Sequence, residues 1–325
     1  MRIVLCFPVE PRHLAQIEST WPAAEVIDAG QQRIAAELPN ADIFCGHAKV
    51  PVPWDEVVRR GRLQWIQSSA AGMDHCLVPS VVASAIPVCS ASGVLARQVA
   101  DHTVALLTGI LRNLPTFFRA QQARQFHRRP TCDLHGSRIG IVGLGGNGRL
   151  LARILKVFDT HVSATDWFPE NKPDFVDALL PADQLDDLLP RVDALILCAP
   201  LNDHTRGMID GRCLRRLPAG AVLVNVARGP LVVEHDLAEV LAAGHLWGAA
   251  IDVTEMEPLP GASPLWDLPN LIITPHVGGQ RASRADDMTR LFCDNLRRFR
   301  AGEPLINQVD KHLGFPLPGT PAFSL

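Results

Sequence analysis

The stretch that most narrows what this chain can fold into is residues 138–149, Arg-Ile-Gly-Ile-Val-Gly-Leu-Gly-Gly-Asn-Gly-Arg. A short apolar run leads into Gly143, Gly145 and Gly148 in G-x-G-x-x-G spacing, and a helical pattern follows from Arg149. Each glycine answers a different steric demand. Gly143 permits the tight turn, Gly145 lets backbone approach a pyrophosphate, and Gly148 lets helix and strand pack closely. The helix that follows points its first N–H groups and the positive end of its dipole at the anion. A glycine turn alone is a weak signal, because such turns occur in many loops. Here a second apolar run, His161-Val162-Ser163-Ala164-Thr165, ends in Asp166, eighteen residues beyond Gly148. A carboxylate at that point would accept hydrogen bonds from the hydroxyls of an adenosine ribose. Strand, turn, helix, strand and acid fall in register, so the pattern predicts a dinucleotide-binding unit.

The length of 325 residues favours two domains over one core. A formal net charge of -3 gives no electrostatic case for nucleic acid or an anionic membrane as partner. No segment approaches the ~20 apolar residues of a membrane span. Residues 1–8 carry too short an apolar run for a signal peptide and read as a first strand. The eight cysteines form no C-x-x-C pair, and several lie inside apolar runs. They read as buried reduced thiols, which points to a reducing cytoplasm. No metal-ligand spacing is present.

Residues 1 to about 95 alternate short apolar runs (2–7, 41–46, 63–68, 86–90) with polar or amphipathic segments such as 11–21 and 53–60. The runs suit buried parallel strands and the segments between them crossover helices, which makes a small doubly wound α/β domain. Two loops of small residues follow strands, Ser69-Ala70-Ala71-Gly72-Met73-Asp74 and Ala91-Ser92-Gly93-Val94. Either is a simple turn or leaves backbone N–H groups free for a small anion. Residues 98–112 predict an amphipathic helix bridging the domains. The basic stretch 119–129 reads as a solvated face, with a subunit contact as second choice. Residues 283–300 predict another amphipathic helix, and 316–321 a loose tail.

Beyond residue 137 the strand ends become informative. Leu195–Cys198 leads into Ala199-Pro200, and Ala221–Val226 into Ala227-Arg228-Gly229. Gly248–Ile251 leads into Asp252 and a loop carrying Glu257, and Leu271–Thr274 into Pro275-His276-Val277-Gly278. With the two strands flanking the glycine turn, these make six parallel-strand candidates. Ligands of open α/β sheets bind outside the carboxyl ends of the strands, where Arg228, Asp252, Glu257 and His276 all fall. Singly, each reads as a surface charge, a cap or a satisfied loop histidine. All four at one edge beside a dinucleotide turn make a coincidence improbable.

On these residues the chain resembles the D-isomer-specific 2-hydroxyacid dehydrogenases. The motifs carrying the resemblance are Gly143-Leu144-Gly145-Gly146-Asn147-Gly148, Asn225-Val226-Ala227-Arg228-Gly229, Asp252 through Glu257-Pro258, and Pro264-Leu265-Trp266 followed by Thr274-Pro275-His276. It covers all but about the last ten residues. The resemblance implies a Rossmann-type doubly wound parallel sheet (97–281) inserted into a smaller flavodoxin-like α/β domain (1–96 and 282–325), with the active site between them. It implies NAD as cofactor, a small 2-oxo or 2-hydroxy acid as substrate, and a homodimer.

The family's roles carry over onto matching positions. His276 would be the general acid/base, Glu257 its carboxylate partner, and Arg228 the anchor for the substrate's carboxylate and 2-oxo group. Ala71 and Gly72 match the loop whose amides hold the carboxylate, together with Arg228 and His276. Gly143, Gly145, Gly146, Asn147, Gly148, Asp166, Ala199, Pro200, Thr205, Val226, Ala227, Arg228, Asp252, His276 and Gly278 are the cofactor-binding positions the resemblance implies. Ser90 and Ser92 stand where the family often has asparagine and proline.

The chemistry fits the residue types. Reducing a 2-oxo acid needs a proton for the developing alkoxide; a protonated imidazole supplies it, and a neighbouring carboxylate favours the charged ring. A guanidinium gives a planar two-point grip on a carboxylate. Glutamate rather than glutamine beside His276 argues against a formate dehydrogenase. The want of a regulatory domain after Phe315 argues against a long phosphoglycerate dehydrogenase, leaving a short form open. A non-catalytic NAD-responsive co-regulator of the same fold is the reading from a different class.

Overall fold

The computed structural model describes residues 1–170 and 172–323, and the chain divides into two compact units. One holds Met1–Leu95 with the chain from Gln280 onward, the other Ala96–Gly279.

The first unit is built on β1 (Arg2–Cys6), β2 (Glu25–Asp28), β3 (Ile43–Gly46), β4 (Trp65–Ser68) and β5 (Val88–Cys89), all parallel, in the order β2-β1-β3-β4-β5. β1, β3 and β4 are buried almost throughout, the signature of strands covered on both faces. The helix Arg284–Ala301 closes one face. Its Phe292 and Phe299 stack on Trp65 with ring centroids 5.4 and 5.6 Å away. Its buried Asn295 donates to Gln67 Oε1 (2.8 Å) and to the Ile306 carbonyl (3.0 Å), and accepts from the Ile306 N–H (2.7 Å). A polar side chain inside an apolar interface is tolerable because every one of those groups is paired.

The second unit has seven parallel strands: β6 (Arg138–Val142), β7 (His161–Asp166), β8 (Ala178–Pro181), β9 (Ala194–Leu197), β10 (Val222–Asn225), β11 (Gly248–Ile251) and β12 (Leu271–Ile273). Their order is β12-β11-β10-β9-β6-β7-β8. The chain lays strands to one side of β6, then crosses back to lay the rest on the other. The reversal therefore lies between β6 and β9, the place where such sheets take ligands.

The sequence reading missed β2 and β8. Both are edge strands with half-exposed residues, so neither shows the continuous apolar run by which their buried neighbours were recognised. The expected helices appear at Ala96–Leu111 and Arg284–Ala301. All eight cysteines are unpaired, six of them buried. Burial pushes the thiols of Cys89 and Cys198 up to about 12, which keeps them protonated and unreactive at neutral pH. No helix among the described residues is long and apolar enough to cross a membrane.

The end of the chain departs from the loose tail expected of residues 316–321. A short hairpin, β13 (Val309–Asp310) with β14 (Phe315–Pro316), precedes it. The tail then folds back on Asn307, whose backbone N–H donates to Pro321 O at 2.7 Å. The buried Asn307 side chain donates to Ser92 O at 2.7 Å and accepts from Phe323 N–H at 3.3 Å. The Arg290 guanidinium sits over the Phe323 ring, 5.2 Å from its centroid. The proline-rich composition concealed this docking, because the anchor is one asparagine upstream. Asn307→Ala leaves those groups unpaired and should lower stability by about 2 kcal/mol. An unfolding free energy from urea titration within about 0.5 kcal/mol of wild type would show that the tail is not held this way.

Candidate active site

At the reversal point the three glycines of the β6 turn meet distinct surroundings. A Cβ on Gly143, which has φ of +93°, would lie 2.8 Å from the Ala199 backbone after β9. A Cβ on Gly148 would lie 2.2 Å from Gly143 O, so the helix Gly146–Leu155 cannot approach β6 with any larger residue. Gly145 faces open space, with nothing within 4 Å of its missing Cβ. A cradle with exposed backbone at the start of a helix is what a pyrophosphate needs, so the residues present fit a dinucleotide. Gly146 and Asn147 open the helix, whose first N–H groups have no intrahelical acceptor.

Asp166 closes this cradle from the end of β7. Its Oδ2 accepts from Leu144 N–H at 2.6 Å and its Oδ1 from Phe168 N–H at 2.9 Å, which fixes the carboxylate beside the glycine turn. Across the reversal point, Thr205 Oγ1 donates to Pro200 O at 2.7 Å and accepts from Asn202 N–H at 2.9 Å, folding the loop from Ala199 to Thr205. The exposed Trp167 packs on His204 of that loop, ring centroids 5.2 Å apart.

The turn after β10 carries Val226, Ala227 and Arg228. Asn225, buried at the strand end, accepts from Ala227 N–H (3.1 Å) and donates to Arg228 O (2.9 Å). Gly229 packs so tightly that a Cβ would lie 1.9 Å from the Thr254 backbone. That contact sets the Arg228 turn directly against the loop carrying Glu257. The Arg228 guanidinium is half-buried and donates to Ala227 O at 2.7 Å.

Asp252 organises the next layer. It is 2 % exposed, and Oδ1 accepts from Thr274 Oγ1 (2.6 Å) and Val277 N–H (2.9 Å) while Oδ2 accepts from Gly278 N–H (2.8 Å). His102, on the helix Ala96–Leu111, adds its Nε2 at 3.0 Å from Thr274 Oγ1 and 3.3 Å from Asp252 Oδ1. The Asp252 carbonyl also accepts from His276 N–H at 2.7 Å. These bonds hold His276 at φ of +53°, a left-handed conformation that a histidine adopts only under constraint.

The outcome is a dyad. His276 Nδ1 lies 2.8 Å from Glu257 Oε2, and Glu257 Oε1 accepts from Thr254 N–H at 3.3 Å. Nε2 has no partner among the described residues, and the ring is about half exposed. A carboxylate on Nδ1 orients the ring and leaves Nε2 as the nitrogen that can meet a ligand.

In the other unit, Ala71 and Gly72 follow β4, and neither N–H has a partner among the described residues. Ser90 and Ser92 bond to each other, Oγ to Oγ at 2.8 Å. Sequence reasoning missed His102, Asn225 and Thr274. Asn225 was visible as the polar end of an apolar strand, whereas nothing separated His102 from an ordinary helical residue.

Residues 104–278 match the model of the D-isomer specific 2-hydroxyacid dehydrogenase NAD binding domain. The chain belongs to that family. It is 29 % identical to the glycerate dehydrogenase of Methylorubrum extorquens, over 90 % of this chain and 91 % of that one. It is also 29 % identical to the D-3-phosphoglycerate dehydrogenase of Mycobacterium tuberculosis, over 89 % of this chain but only 54 % of the relative, so it spans about half that protein's length. The D-isomer specific 2-hydroxyacid dehydrogenase of Xanthobacter autotrophicus Py2, solved in complex with NADPH and MES, superposes with a TM-score of 0.81. It shares 28 % identity over 97 % of this chain and 99 % of that one.

Asp252 fastens the loop that carries His276. In Asp252→Asn one oxygen acceptor becomes a donor facing N–H groups. Amide exchange at Val277 and Gly278 should then rise by at least tenfold, the loss of a charged hydrogen bond being worth about 1.5–3 kcal/mol. Unchanged protection would mean the loop is held by something else.

Proposed function

We propose that this chain is an NAD(H)-dependent D-2-hydroxyacid dehydrogenase that reduces small 2-oxo acids of the glyoxylate and hydroxypyruvate kind. The observation that carries the reading is the Glu257–His276 pair at 2.8 Å, with Nε2 free, beside the turn that presents Arg228. In this reading Arg228 grips the substrate's carboxylate and 2-oxo oxygen, and the amides of Ala71 and Gly72 share the carboxylate. When bound, the dinucleotide supplies the hydride. His276 donates its Nε2 proton to the oxygen as negative charge develops there, and Glu257 holds the ring through Nδ1. Asp252 acts as a positioning residue, since its carboxylate is committed to the loop that carries His276. The two units then divide the work, residues 97–281 holding the dinucleotide and residues 1–96 with 282–325 contributing to substrate binding.

Asp166 supports NAD(H) over NADP(H). Its charge repels a 2′-phosphate, and Trp167-Phe168-Pro169 brings no cation to receive one. The NADPH in the Xanthobacter relative makes the alternative concrete. A cytoplasmic homodimer completes the proposal.

Purified protein given glyoxylate, hydroxypyruvate or pyruvate should oxidise NADH, with higher kcat/KM than for NADPH. Replacing His276 by alanine should cost ~10²–10⁴-fold. No turnover with any 2-oxo acid overturns the function; equal or better efficiency with NADPH overturns the cofactor choice alone.

A further inference from the structure

Arg284 stands at the start of the long helix Arg284–Ala301, in the same unit as the Ala71–Gly72 loop. Its guanidinium is partly buried and, among the described residues, makes a single long hydrogen bond, Nη2 to the carbonyl of Ser69 at 3.4 Å. No carboxylate among the described residues pairs with it, and desolvation alone pulls its pKa below the usual arginine value. On the same helix Arg290, Arg297 and Arg298 each meet an acid within 4 Å, and Arg300 is held by the Thr20 carbonyl at 2.7 Å and by the Trp21 ring, whereas Arg284 has only its long contact to Ser69. Withdrawing a guanidinium from water without a counter-charge costs free energy unless an anion arrives to pair with it.

The surroundings favour such an anion. Ser69 lies two residues before Ala71, so Arg284 rests against the base of the loop whose Ala71 and Gly72 N–H groups are free. Ser69 N–H in turn donates to Gly46 O at 3.2 Å, tying the loop to the end of β3. Just beyond β3, His47 stacks on His75 with centroids 4.0 Å apart, and His75 Nε2 lies 3.3 Å from Ser68 Oγ. The edge of the sheet thus gathers free amides, two imidazoles and a guanidinium lacking a carboxylate.

We propose that Arg284 binds a second anionic group on the substrate, a carboxylate or a phosphate ester, while the Ala71 and Gly72 amides take the carboxylate next to the reacting carbon. This deepens the dehydrogenase reading and rests on it. A guanidinium matches both groups, since each presents two coplanar or nearly coplanar oxygens to its N–H fork. The substrate class is then a 2-oxo acid carrying a second negative charge at its far end.

The test compares kcat/KM for two dianionic substrates, 2-oxoglutarate and 3-phosphohydroxypyruvate, with that for pyruvate, in wild type, Arg284→Gln and Arg284→Lys. Wild type should favour at least one dianion over pyruvate, which also tells carboxylate from phosphate. In Arg284→Gln that preference should fall about 10- to 100-fold, mainly through KM, the worth of a charged hydrogen bond. Arg284→Lys keeps the charge, loses the fork and should fall between the two. A wild type that favours pyruvate, or a preference unchanged in Arg284→Gln, overturns the role of Arg284 while leaving the dehydrogenase reading intact. An Arg284→Gln protein that fails to fold while Arg284→Lys keeps the full preference for pyruvate's dianionic rivals also counts against it, because the fork would then be structural. Absence of turnover in wild type with all three substrates, and with glyoxylate and hydroxypyruvate as well, fails the underlying reading instead.

Discussion

The catalytic edge depends on one buried carboxylate. Asp252 ends β11 inside the sheet, where an unpaired charge would be prohibitive, and it is stable there only because Thr274, Val277 and Gly278 each donate to it. The same bonds bend the chain so that His276 must adopt a left-handed backbone and face Glu257. The electrostatic need of one residue thus fixes the geometry of another that lies beyond the next strand. His102 reinforces the arrangement from a helix on the sheet's flank, so the loop carrying His276 is tied to the hydrophobic packing of the whole unit.

The glycines act on the opposite side of the same edge and by the opposite means. Where Asp252 attracts donors, Gly143, Gly148 and Gly229 exclude side chains, allowing backbones to approach within distances no Cβ tolerates. Gly145 alone faces empty space, and it sits where a phosphate would approach the helix start. A parallel sheet with a reversed strand order brings both devices to one place, because every strand delivers its carboxyl end to the same edge.

Much of this was legible in the amino-acid sequence because it depends on local steric and periodic rules. Buried parallel strands show as apolar runs, and the glycine turn with Asp166 at fixed spacing reads without a partner segment. Arg228, Glu257 and His276 were found as charged residues following such runs. What escaped depended on contacts far apart in the chain. β2 and β8 are polar edge strands defined by their neighbours, and the docked tail depends on Asn307, which bonds both Ser92 and Phe323. His102 acts across 172 positions of sequence through Thr274. Residue type and spacing carry no trace of pairings at that range.

The central claim is that Glu257 and His276 act as one proton-donating pair. Glu257→Gln keeps the shape and an acceptor for Nδ1 but removes the carboxylate that meets the ring at 2.8 Å. The decisive measurement is kcat/KM for reduction of a 2-oxo acid in wild type, Glu257→Gln, His276→Ala and the double variant. Each single replacement should lower it, and in the His276→Ala background the Glu257 replacement should cost little further, because residues that act as a unit are not additive. A Glu257→Gln loss that persists in full without His276 contradicts the pairing.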